Sequence, residues 1–199
     1  MSLLDLLQSQ LSGEPAAQLG ERMGADQSQA QKAIGAALPV LMAALAGNVR
    51  RKDGAESLAK ALDEDHDGRV LDDVAGFLRR GDTEDGEGIL KHALGPRRPA
   101  VEAEVAKQTG LDAKAISSLL PLLAPLVMGA LGRQKRQAGL DVSSLGGMLA
   151  GEGKRAKEVA PGALGTLGSL LDREGDGLDA GDLADAGKKL LGGFVRGRK

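Results

Sequence analysis

Cysteine, tryptophan and tyrosine are absent from the 199-residue chain, and Phe77 and Phe194 are its only aromatic side chains. The missing thiols exclude disulfides, thiolate metal centres and cysteine nucleophiles, and they fit a reducing compartment. Aromatic platforms for stacking single-stranded nucleic acid or sugars are excluded in the same way. The core is therefore expected to be aliphatic, built from Leu, Ala, Val, Ile and Met. A formal net charge of -2 supplies no global field toward nucleic acid or anionic lipid. Long apolar runs are scarce too. The longest, ISSLLPLLAPLVMGALG (116–132), carries two prolines and two serines, and is shorter than the roughly 20 residues that a bilayer span needs. The opening MSLLDLLQSQLSGEP places Asp5 inside its apolar stretch with no basic residue ahead of it, so it does not read as a signal peptide. Hydrophobic residues at 42% and charged residues at 27% make the chain globular rather than disordered. A soluble, cytoplasmic protein is expected.

What is present is helical periodicity. Leu3, Leu4, Leu7 and Leu11 fall at helical intervals, as do Leu58 and Leu62, and Leu140, Leu145 and Leu149. β-branched and aromatic residues, which favour strands, are few, so the class is all-α. Glycine and proline punctuation predicts helices of about 10 to 15 residues. Pro39 and Pro121, inside apolar stretches, should each kink or start a helix.

The chain also resembles itself. LLQSQLSGEP near residue 6 resembles ILKHALGPRRP near residue 89, and segment 22–50 resembles segment 108–136. Ile34, Leu38, Pro39 and Gly47 are paired with Ile116, Leu120, Pro121 and Gly129. Ser57, Leu58 and Leu62 match Ser144, Leu145 and Leu149, and LDEDHDGRVLDDV (62–74) matches LDREGDGLDAGDL (171–183). The reading is two helical repeats, 1–83 and 84–199. Each holds four short helices, an acidic loop (63–73 or 172–182) and a further helical turn. The segment GDTEDGEG (81–88) is the expected hinge.

The acidic loops carry the only pattern with chemistry in it. Asp63, Asp65 and Asp67 take positions one, three and five, with Gly68 sixth; Asp172, Glu174 and Asp176 repeat this ahead of Gly177. That is how an EF-hand loop opens, with alternating carboxylates converging on calcium and a glycine permitting the sharp turn. The closing glutamate is missing, since position twelve is Val74 or Leu183, but Asp73 and Asp182 stand at eleven as last-ligand candidates, with Asp72 a substitute. Incomplete ligand sets predict weak binding, in the roughly 10⁻⁴–10⁻³ M class. The plain alternative is a polar turn and helix cap with no ion, because Asp and Gly favour turns and Asp favours helix N-caps. His66, fourth in the first loop, is expected to face solvent.

Elsewhere the chain names no reaction. His92 is a lone histidine in a helical stretch, and no GxSxG, P-loop, HExxH or phosphate-cradling GxGxxG occurs. The chain is expected not to be an enzyme. Basic stretches at 50–52, 133–136 and in the terminal FVRGRK follow apolar helices or lie at the chain end, where cations complement helix C-termini. A DNA-binding helical domain is a further reading, and it predicts salt-sensitive binding to duplex. The small-residue-rich apolar faces suggest self-association or a protein partner.

Three runs, DHDGRVLDDVAGFL (65–78), GILKHALG (88–95) and LLPLLAPLVMGALGRQ (119–134), together resemble the YidB-like family of bacterial proteins. The resemblance spans roughly residues 1–190 and is most specific from LDEDHDG through HALG. It implies an all-helical, mostly cytosolic bacterial protein, with no established activity or catalytic residue. Family members often carry an LDxDxDGS-type loop followed by DD; here Arg69 stands in place of the serine, and the second loop departs further. The expectation is a non-enzymatic interaction or scaffold protein whose acidic loops bind calcium weakly. The competing expectation is a metal-free helical protein that self-assembles or docks a partner.

Overall fold

Side-chain caps set the helix starts. Ser2 and Asp5 form a reciprocal capping box, with Asp5 N–H donating to Ser2 Oγ at 3.1 Å and Ser2 N–H to Asp5 Oδ2 at 2.9 Å. Asp26 and Gln29 do the same, and Asp112 and Asp141 cap through the backbone N–H three residues on, at 2.6 and 2.7 Å. The stops are glycines: Gly24, Gly81, Gly110 and Gly139 close helices in the left-handed region, at φ between 60 and 74°.

The computed structural model describes residues 2–161 apart from Arg51, with only the backbone of Lys52. It contains α1 (Leu3–Gln10), α2 (Glu14–Met23), α3 (Gln27–Asn48), α4 (Lys52–Glu64), α5 (Val74–Arg80), α6 (Glu84–Ala93), α7 (Arg98–Thr109), α8 (Ala113–Ala138) and α9 (Val142–Val159). Short 3₁₀ turns run through Arg69–Asp72 and Gly95–Arg97, and there is no strand among the described residues. The all-α class is as the periodicity indicates.

Helix length departs from expectation. α3 runs 22 residues through Pro39, and α8 runs 26 residues through Pro121 and Pro125. None of these prolines starts a helix. Each lacks an N–H and so frees the carbonyl four residues earlier, on Gly35, Ser117 and Pro121 respectively. Packing outweighs that local cost, because both helices are buried on nearly every side from Ala37 to Ala46 and from Leu119 to Gly132. The extra length also makes both helices long and apolar enough to cross a membrane by length and composition, where the sequence run alone fell short. In the fold, 72% and 89% of their apolar windows are buried.

α3 and α8 form the centre. α9, α2, α7 and α8 pack on α3, while α6, α2, α7, α3 and α4 pack on α8. Among the described residues the core is wholly aliphatic, and its largest fully buried side chains include Leu38, Met42, Ile116 and Leu120. Phe77 packs on its edge, half-buried.

A polar clamp joins α6 to α7. The Arg98 guanidinium donates to both oxygens of Glu87 and, at 2.6 Å, to Glu102 Oε1. It holds the Glu87 carboxyl below the ordinary glutamate range. A depressed folded-state pKa stabilises the fold above the ordinary value of about 4.3 and loses that contribution as pH falls through the folded value. Chemical denaturation should therefore show Glu87→Gln losing less stability than the parent between about pH 5 and pH 3. Parallel curves would rule the clamp out as a source of acid sensitivity.

Candidate functional site

Loop 63–73 begins inside a helix. α4 continues through Asp63 and Glu64, and its end is closed by the N–H groups of Asp65 and His66, both donating to Ala61 O at 3.0 and 3.1 Å. Gly68 then takes φ +86°, a left-handed conformation that suits glycine. A side chain there would also crowd Arg133 Cβ and Gly129 O, each 2.8 Å from a Cβ placed on it. The loop is thus laid directly on α8.

Its carboxylates are dispersed rather than convergent. Asp63 Oδ1 meets Lys135 Nζ at 2.5 Å, and Asp72 Oδ1 meets Arg133 Nη2 at 2.5 Å. The same Arg133 nitrogen donates to Gly68 O at 2.5 Å. Asp67 accepts the Arg69 N–H at 3.0 Å and pairs with Arg69 Nε at 2.5 Å. The backbone N–H of Arg69, then its guanidinium, hold the Asp67 carboxyl below the usual carboxylate range. Asp73 Oδ1 accepts the Gly76 N–H at 2.8 Å and caps α5. Of the four predicted ligands, Asp65 alone has an exposed carboxylate with neither a side-chain nor a backbone partner among the described residues. No three acidic or histidine side chains among the described residues converge on one point. Asp63, Asp65, Asp67 and Asp73 share a loop without sharing a centre. Asp172, Glu174, Asp176 and Asp182 lie outside the described residues.

His66 corrects an expectation. Its side chain is only 9% exposed, because the loop turns it inward. Nδ1 lies 3.1 Å from Ala61 O, and Nε2 lies 3.1 Å from Asp85 Oδ2 at the start of α6. Both ring nitrogens are engaged. His92, on the outer part of α6, is exposed, and its carbonyl accepts from Asn48 Nδ2 at 3.0 Å.

The chain's two histidines line one cavity of about 670 Å³ between α3, α4 and α6. Its walls include Leu45, Leu58, Ile89 and Met128, with Asp53, Asp65 and Asp85 also lining it. Sequence reading missed Arg133, Lys135 and Asp85 as partners of the loop. The signal available was charge complementarity between RQKR (133–136) and DEDHD (63–67), but the same basic run also reads as a helix-end cluster.

A model of a family described as bacterial protein of unknown function (DUF937) matches residues 5–134, from α1 into the last turns of α8. No curated protein matches the chain, and no solved structure does.

Proposed function

Because the chain belongs to this bacterial family of unknown function, no relative's chemistry prescribes its role, and we propose that it is a non-enzymatic, cytoplasmic helical interaction protein in which loop 63–73 staples the scaffold. The observation that carries this reading is the occupation of the loop. Lys135, Arg133, Arg69 and the Gly76 N–H take Asp63, Asp72, Asp67 and Asp73 respectively. Cation pairing relieves the repulsion within an aspartate-rich turn without an ion. Removing both α8 cations tests it. Arg133 makes two contacts and is one-third exposed, so Arg133→Met with Lys135→Met should cost about 1–2 kcal/mol after allowing for solvent screening. By thermal melting that is a drop of roughly 3–6 °C. An unchanged melting temperature would remove the staple.

Calcium in the loop is the second reading, and the open Asp65 carboxylate favours it. Calcium would have to displace Lys135 and Arg133, and that competition agrees with an affinity in the roughly 10⁻⁴–10⁻³ M class.

We also infer that the fold is a duplicated four-helix unit, α1–α4 followed by α6–α9. Packing supports this, since partners recur reciprocally: α2 lies on α8 as α7 lies on α3, and α4 on α8 as α9 on α3. Close approaches recur too. A Cβ on Gly132 would run into the His66 carbonyl, and one on Gly153 would come within 2.9 Å of Ala46 Cβ. In this reading the helix ends favour a different register. Gly24 and Asp26 correspond to Gly110 and Asp112 as stop and cap, which sets Pro39 opposite Pro125 and Met42 opposite Met128, one helical turn from the pairing with Pro121.

A further inference from the structure

We propose that the cavity between α3, α4 and α6 receives the chain's own basic apolar segment, KKLLGGFVRGRK (188–199). This deepens the interaction-protein reading and rests on the duplication inferred with it. In one half of the duplicated unit, α1 packs directly on α9. The corresponding seam, between α6 and α4, is instead bridged at its edge by His66 and Asp85 and left open as a cavity of about 670 Å³. Such a volume suits a few apolar side chains.

Chemistry selects the occupant. Leu45, Leu58, Ile89 and Met128 line the cavity with apolar surface, and Asp65 presents a carboxylate that no described side chain pairs. Asp85 adds a second carboxylate beside His66. An apolar segment carrying cations is complementary to that combination. Segment 188–199 carries Lys188, Lys189, Arg196, Arg198 and Lys199 around Leu190, Leu191, Phe194 and Val195. Residues 162–187 separate it from the end of the described fold, and at about 3.3 Å per extended residue that length exceeds the diameter of the molecule.

Three isoleucines make the test sharp. Ile89 lines the cavity, whereas Ile34 and Ile116 are buried in the core. The δ1-methyl spectrum of the full-length protein is compared with that of a full-length variant carrying Arg196→Glu, Arg198→Glu and Lys199→Glu. The Ile89 methyl should move while Ile34 and Ile116 stay in place, which also reports that the variant is folded. Free peptide KKLLGGFVRGRK added to the variant should return Ile89 toward its original position. With Asp65→Lys in that variant, the peptide should bind about tenfold more weakly. An Ile89 methyl identical in parent and variant overturns the proposal. If it is identical yet shifts on adding peptide, the groove serves basic segments of other molecules, and the assignment to this chain's own segment is likewise overturned. Loss of the staple in the Arg133 and Lys135 variant would leave this comparison intact, so the two failures are distinguishable.

Discussion

Replacing Gly86 by alanine should destabilise the fold by about 3 kcal/mol, which is a fall of roughly 10 °C in melting temperature for a protein of this size. The cause is backbone against backbone. Pro125 has no N–H, so the Pro121 carbonyl has no donor one turn ahead within α8. α6 comes down on that bare carbonyl at Gly86, and a Cβ there would overlap Pro121 O. Neither partner can turn aside as the tip of a flexible side chain could. Gly88, two residues on, has nothing within 4 Å of such a Cβ, and Gly88→Ala should hold or slightly raise stability through helix propensity. Equal melting temperatures for the two variants would show that α6 and α8 do not approach as described.

Gly132→Ala should be comparably severe, at about 2–3 kcal/mol. Its Cβ would overlap the His66 carbonyl and approach Leu62 O at 3.3 Å, which are the backbone atoms at the root of loop 63–73. The consequence should be local as well as global. Pushing His66 away from α8 pulls on the Asp85 contact and on the Arg133 bond to Gly68. Amide exchange should therefore accelerate in the first turn of α6 and in the 3₁₀ turn Arg69–Asp72, beyond the general increase caused by lower stability. A uniform increase across all helices would mean that the loop is not held through this contact.

Local chemistry made much of this fold readable, and non-local packing hid the rest. Most periodic leucines are buried as their spacing indicates: Leu7, Leu62, Leu145 and Leu149 are all fully enclosed, whereas Leu140 lies ahead of the Asp141 cap, outside α9, and is half-buried. Asp26, Asp112 and Asp141 cap helices because a short carboxylate just ahead of the first turn accepts its otherwise unpaired N–H groups. Proline punctuation misled on helix length at Pro39 and Pro121, since the cost of a missing N–H is local while the burial that offsets it comes from distant helices. On the duplication inferred above, the pairing of Pro39 with Pro121 stands four residues from the register that the helix caps favour. A four-residue shift is close to one helical turn, so the apolar face looks the same after it, and only the end caps discriminate. At the candidate site the aspartate spacing was legible, but their partners were not. Lys135 and Arg133 lie about seventy and sixty residues from the carboxylates they meet, and no local rule links them. His66 was misplaced for a related reason, because its orientation follows from Asp85 on another helix.

The loop's state is best measured by titrating calcium into chelator-treated full-length protein and reading the heat, with magnesium as control. Heat is the readout of choice because the chain has neither tryptophan nor tyrosine to report optically. If the carboxylates of loop 63–73 are held by α8, the parent should give no saturable heat up to about 1 mM that Asp65→Ala or Asp67→Ala removes. Saturable calcium heat in the parent, abolished by either substitution, would make the loop an ion site and contradict the staple.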